Sequence, residues 1–296
     1  MTDYTITELD ISRSELINLP NDIDKYTSLK TLNCINNQLT SLDNLSNGQL
    51  AGYEDKPLGF PPTLKELDCS YNELTSLDNL PPNLKILKCN NNQITSLDNL
   101  PPNLKYLNCN SNKLTSLDNI PPKLEVLHCS YNDITSLDNL PSALKKLYFE
   151  NNQFTNLDNL PPNLERLYCG YNTLTSLNNL PLTLEILWCN NNQLSSLDNL
   201  HPKLERLYCN SNQLTSLDNL PPTLEILWCN NNQLSSLDNL PSTLKELHCG
   251  FNKITSLDNL PPKLEVLYCN DNPLKYDFKT TLENIRNYNA SRMLDS

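Results

Sequence analysis

One feature constrains this chain more than its composition does: a strict repeat of 20 residues. From Pro61 onward it falls into blocks such as PPTLKELDCSYNELTSLDNL and PPNLKILKCNNNQITSLDNL, and leucine returns at 64, 84, 104 and on to 264, eleven starts in all. Two looser units precede them, ITELDISRSELINL at 6–19 and LKTLNCINNQLTSL at 29–42, for a total of thirteen. A length of 296 residues would by itself suggest about two ordinary domains. Repetition overrides that expectation, because stacked units grow in one dimension and have no single core to saturate.

The physical content of the repeat follows from its pattern. Within L-x-x-L-x-C, residues alternate as in a short strand, apolar inward and variable outward. Neighbouring units pair as a parallel sheet with strands ~4.8 Å apart, so thirteen units predict an arc of ~60 Å. The asparagine that follows (Asn37, Asn72, Asn92 and on to Asn272) can satisfy backbone groups where the chain leaves the strand. The remainder, T-S-L-D-N-L-P-P, cannot be helix, because paired prolines fix φ and remove donors. An extended, polyproline-like back is expected.

The motif L-x-x-L-x-C-x-x-N-x-L, with cysteine in its third apolar place, resembles the leucine-rich repeat. The resemblance covers roughly residues 6–275 and implies a fold of the α/β-solenoid class by family, mostly β. It would be a leucine-rich-repeat horseshoe of about 13 units, with a parallel concave sheet, an extended (non-helical) convex side and a C-terminal capping helix. The chain is similar to type III-secreted effectors of Gram-negative pathogens, whose units carry a similar L-P-x-L-P-P-x-L linker. It is similar also to asparagine-rich, cysteine-containing repeat proteins of giant DNA viruses of amoebae. Some of the bacterial effectors carry a cysteine-dependent ubiquitin-ligase domain after the repeats. Here only about 20 residues follow, so that activity does not carry over.

The expected organisation is a single solenoid over 1–275, with an inserted loop at 46–60, and a capping helix and tail over 276–296. The loop holds Gly48, Gly52 and Gly59 and reads as a tolerated insertion. Pro20–Thr27 lengthens one unit and predicts a helical turn. In YDFKTTLENIRNYNASRMLDS, Thr280 and Glu283 form the pattern of a capping box, and Leu282, Ile285 and Tyr288 share a helical face, predicting a helix at about 281–293.

Register also governs the chemistry-bearing residues. All eleven cysteines occupy one repeat place, and Phe149 fills the twelfth. An apolar substitute marks a core site, so buried free thiols and a reducing, intracellular (cytoplasmic) compartment are expected, host cytoplasm included. His128 and His248 share an outward place six units apart, ~29 Å, too far for one metal. No histidine–carboxylate or nucleophile set stands out, so no catalytic residue, cofactor or metal is assigned and the chain is read as non-enzymatic. The linker aspartates (Asp43, Asp78, Asp98 and on to Asp258, with Asn178 as one replacement) read as turn caps acting through their own backbone; calcium along this ladder stays open. The net charge of −12 argues against nucleic acid and anionic membranes as partners. No apolar run approaches a membrane span, and the start MTDYTITELD has no secretory signal pattern.

What remains is the outward strand face. One column reads Asp68, Lys88, Asn108 and His128, then turns aromatic as Tyr148, Tyr168, Trp188, Tyr208, Trp228, His248 and Tyr268. Arg166, Ile186, Arg206 and Ile226 flank it on one side, Tyr131, Tyr171 and Phe251 on the other. Tyrosine, tryptophan and arginine dominate protein–protein hot spots. The expected partner site is therefore Tyr148, Arg166, Tyr168, Tyr171, Ile186, Trp188, Arg206, Tyr208, Ile226, Trp228, His248 and Tyr268. It would bind an unidentified protein or peptide, a host protein among the candidates, with the chain a monomer. The rival is a structural or decoy repeat without a specific ligand, in which aromatic rungs stabilise the sheet. Residues 181–200 and 221–240 differ only at Leu182 and Pro222, so duplication alone could have copied the stripe.

Overall fold

A computed structural model describes residues 2–43 and 59–294. Nearly all of the loop expected at 46–60 lies outside the described residues. The chain divides into two compact units, Met1–Asn152 and Gln153–Ser296. Each is a coil of short repeats.

The first unit contains β1 (Glu8–Asp10), β2 (Thr31–Asn33), β3 (Glu66–Asp68), β4 (Ile86–Lys88), β5 (Tyr106–Asn108), β6 (Val126–His128) and β7 (Lys146–Tyr148). The second contains β8 (Arg166–Tyr168), β9 (Ile186–Trp188), β10 (Arg206–Tyr208), β11 (Ile226–Trp228), β12 (Glu246–His248) and β13 (Val266–Tyr268). Within each unit every strand pairs in parallel with the next, like residue over like: Leu87 on Leu107 in the first, Leu187 on Leu207 in the second. The predicted helical turn is a 3-10 turn at Ile23–Lys25.

Leucine and cysteine columns fill the interior. Leu67, Leu87, Leu167, Leu187 and their cysteine neighbours are fully buried, and Phe149 occupies the missing thiol rung without exposure. All eleven cysteines are buried and free. Their thiols reach the carbonyl one repeat onward, as from Cys109 to His128 O at 3.2 Å and from Cys169 to Trp188 O at 3.3 Å. Burial pushes the Cys109 and Cys209 thiols up to about 12, so they stay protonated and unreactive near neutrality.

The asparagine column does what its place predicts. Asn192 Nδ2 donates to Cys169 O at 3.0 Å and to Cys189 O at 3.1 Å, while its Oδ1 accepts from the Leu174 amide at 3.0 Å. One side chain thus satisfies backbone groups of two repeats, which is why it can sit buried.

The linker is non-helical as expected, and its end closes into a turn: Leu84 N donates to Pro81 O at 3.1 Å, and the same closure recurs at Leu104 and Leu224. Proline's fixed φ suits the first central position of such a turn. The linker aspartates do not cap their own turns. Serine does so, its hydroxyl accepting the Asp98 amide at 3.0 Å. The aspartate carboxylate instead accepts from the next repeat's asparagine, Asn119 Nδ2 to Asp98 Oδ1 at 2.7 Å and Asn179 to Asp158 at 3.0 Å. Asn178 serves the same bridge through its own oxygen, accepting from Asn199 at 3.0 Å. Those donors (Asn99, Asn119, Asn179 and Asn199) hold φ of 62–67°, a left-handed conformation that asparagine tolerates.

A further correction concerns α1, Leu282–Leu294. Its cap is Thr281, not Thr280: the Asn284 amide donates to Thr281 Oγ1 at 3.2 Å. With the start one residue later, Glu283 falls at the second helical position and the capping box does not form. The predicted face holds. Ile285 is fully buried and Tyr288 packs against Tyr276 at 5.3 Å between ring centres. Arg286 and Asn289 donate to open carbonyls of the last repeat, Leu264 O at 2.7 Å and Leu257 O at 2.9 Å.

Candidate functional site

The strand register brings the second-unit column together. Tyr168, Trp188, Tyr208, Trp228, His248 and Tyr268 lie on successive rungs, directly opposite one another. Ring centres are 5.6 Å apart for Tyr168–Trp188, 3.9 Å for Trp188–Tyr208 and 4.4 Å for Trp228–His248, all three stacked. Tyr208–Trp228 meet edge-on at 5.0 Å, an equally favourable arrangement.

This geometry changes what the stripe offers. The ring faces cover one another, so an incoming molecule meets mostly ring edges. Tyr208, in the middle, is 8% exposed, while Tyr268, at the end, is 56% exposed and keeps one face open. Ile186 and Ile226 are half-buried beside the stack, and Arg206 is exposed. Arg166 is half-buried, its Nε enclosed without a hydrogen-bond partner.

In the first unit Tyr148 stacks with His128. Its ring centre lies 4.0 Å from that of His128, the planes nearly parallel at 5°, and Tyr106 adds a third ring at 5.4 Å from His128. Tyr106 occupies the same flanking column as Arg166 and Ile186, on a first-unit rung where sequence reasoning did not follow that column. Burial, with Lys146 adding to it, pushes the His128 imidazole down to about 4.

Glu246 is the second residue that sequence reasoning missed. Its Oε1 accepts from Trp228 Nε1 at 2.8 Å and lies 2.9 Å from His248 Nε2, without the alignment of a hydrogen bond. Burial lowers His248 and Glu246 opposes that shift. Its place one rung beyond Trp228 is legible once the repeats are aligned.

Tyr171, Tyr131 and Phe251 stand at the turn after the strand, 52%, 60% and 55% exposed, with φ of 52°, 56° and 54°. Bulky side chains rarely occupy that left-handed region. A small residue precedes each of them. A Cβ at Gly170 would lie 2.6 Å from Asn190 Oδ1, and one at Gly250 2.8 Å from Asn270 Oδ1, so the next repeat's asparagine takes that space.

Among the described residues no group of three or more His, Cys, Asp or Glu could hold a metal ion, and no helix is long and apolar enough to cross a membrane.

The repeats match the family described as Leucine Rich repeats (2 copies) over residues 62–102, 82–122, 122–162, 182–222, 202–242 and 222–262. No curated protein matches the chain by sequence. Among solved structures it is similar to YopM from Yersinia enterocolitica WA-314, at 30% identity over 90% of this chain and 74% of that one, with a TM-score of 0.60. YopM of Yersinia pestis, a leucine-rich effector protein, is similar at 29% identity over 94% of this chain and 87% of that one, TM-score 0.69. The functional domain of InlJ from Listeria monocytogenes, which includes a cysteine ladder, is similar at 32% identity over 92% of this chain, which spans 64% of that one, TM-score 0.72. In motif, register and these likenesses, the chain belongs to the leucine-rich-repeat family.

Proposed function

We propose that this chain is a non-catalytic interaction module whose second-unit strand face receives a protein or an extended peptide. The leucine-rich-repeat fold is commonly a protein–protein interaction module. The observation that carries the finer reading is the in-register rail of Tyr168, Trp188, Tyr208, Trp228, His248 and Tyr268, bordered by exposed Arg206 and half-exposed Ile186 and Ile226. Aromatic and arginine side chains held rigid on a sheet lose little freedom on binding, which favours them as anchors. The likeness to bacterial effectors supports a host protein as the partner, and the column of free thiols supports a reducing compartment.

The covered rings dictate the test. Substituting Trp188, Tyr208 and Trp228 would remove mutual stacking as well as contact area. Arg206→Glu with Tyr268→Ala alters exposed groups. Affinity capture from host lysate should lose its specific protein by about ten-fold or more, equivalent to ~1.4 kcal/mol. Retention of the same protein by a well-folded double variant would overturn the site. A second reading, a repeat without a ligand, is favoured by one observation: the ring faces are already satisfied by each other. Capture of no specific protein by the wild-type chain would support it.

A further inference from the structure

A row of charge runs beside each strand face, at the residue just before the strand. In the first unit its rungs are 30, 65, 85, 105, 125 and 145, reading Lys, Lys, Lys, Lys, Glu, Lys. In the second they are 165, 185, 205, 225, 245 and 265, reading Glu, Glu, Glu, Glu, Lys, Glu. The sign is reversed at every one of the six places, including the single interruption.

The rungs are physical neighbours. The Lys65 amide donates to Lys30 O at 2.8 Å and Lys85 to Lys65 O at 2.8 Å; Glu185 donates to Glu165 O at 2.9 Å and Glu205 to Glu185 O at 2.9 Å. Backbone pairing therefore holds like charges one strand spacing apart, ~4.8 Å, where they repel. All twelve side chains are exposed or half-exposed. The opposite charges that meet at an interruption form ion pairs, Lys105–Glu125 at 2.7 Å and Lys245–Glu225 at 2.8 Å. Among the described residues Glu185, Glu205 and Glu265 have no ion pair, nor do Lys30, Lys65 and Lys85.

We infer that the lysine row of the first unit docks the glutamate row of the second unit of another copy of this chain, with the two rows parallel. Both rows have the same period because both are strand spacings, so a match at one rung is a match at all six. The order of signs selects the direction. An antiparallel arrangement would set Glu125 against Glu185 and Lys65 against Lys245. The parallel arrangement has no like-charge contact. Such an interface is heterologous, because it joins the first unit of one copy to the second unit of another. Each row spans only ~24 Å, so the contact is small, and its charges are solvated. Association is therefore weak and governed by salt.

Sedimentation of the full chain tests this. At about 10 mM salt its mass should rise with concentration above that of the monomer, and at about 150 mM the apparent affinity should fall by about ten-fold or more. Two reversed variants sharpen the result, K65E/K85E/K105E and E185K/E205K/E225K, each checked for wild-type melting. Either alone should be monomeric, since both of its rows then carry one predominant sign. Their mixture should associate again, because each supplies the row that the other lacks. A wild-type chain that stays monomeric at low salt, or a mixture that stays monomeric, overturns the proposal. So does a lysine octapeptide binding the glutamate row of a wild-type chain that does not self-associate, which would assign that row to a basic peptide instead.

Discussion

The two units repeat the same inward pattern and differ in what they show outward. In the first, the central column begins as Asp10, Asn33, Asp68, Lys88 and Asn108, with Lys88 paired to Glu66 at 3.1 Å and near Asp68 at 3.8 Å. In the second, the same rungs carry a continuous aromatic stack. The leucine and asparagine columns beneath recur in both, and the thiol column does so except at Phe149 in the first. The comparison teaches that the repeat's inward places carry stability while its outward places vary without disturbing the coil.

The most severe way to break this comparison is to attack what the units share. Leu87→Ala and Leu187→Ala each empty a fully buried place and should cost about 2–5 kcal/mol alike, read by denaturant unfolding. A large difference between them would mean that the interiors are not equivalent.

The outward columns should then diverge. Trp228→Ala removes ring contacts on both sides and the bond to Glu246, for a loss of about 1–3 kcal/mol. Lys88→Ala breaks a partly exposed ion pair and should cost less than about 1 kcal/mol. Equal costs would place the aromatic stack on the same footing as a surface ion pair.

Acid separates the units through their histidines. His128 is depressed to about 4, below its unfolded value of about 6.5, so its contribution is complete above the higher value and is lost as pH falls toward the lower. His248 has Glu246 beside it, which opposes the depression. Thermal melts between roughly pH 6.5 and 4 should show His128→Gln removing more of the acid sensitivity than His248→Gln. The reverse order would contradict the assignment.

The smallest effect is expected from chelation, and it applies to both units equally. The linker carboxylates already accept from the next repeat's asparagine, as at Asp98 and Asp158. Removing calcium should therefore move the melting temperature by no more than about a degree or two, well under ~1 kcal/mol. A drop of many degrees would turn the aspartate row into a metal site.

Repetition by itself determined the interior. With one residue type returning every 20 positions, the choice between strand and helix is made once and repeated, and in-register stacking places leucine on leucine and cysteine on cysteine. The buried thiols and the bracketing asparagines were legible for that reason, and the helix face at Ile285 was legible from its own helical spacing. Side chains that face outward or sit at turns were not, because their partners belong to the next coil. Only tertiary structure decided that the aspartates bridge repeats, that Thr281 caps the final helix, and that Tyr208 lies covered while Tyr268 stands open. A periodic sequence specifies which residues share a column. Rotamer and neighbour then decide whether a column of rings covers itself or faces a partner, and that choice is made by packing between repeats.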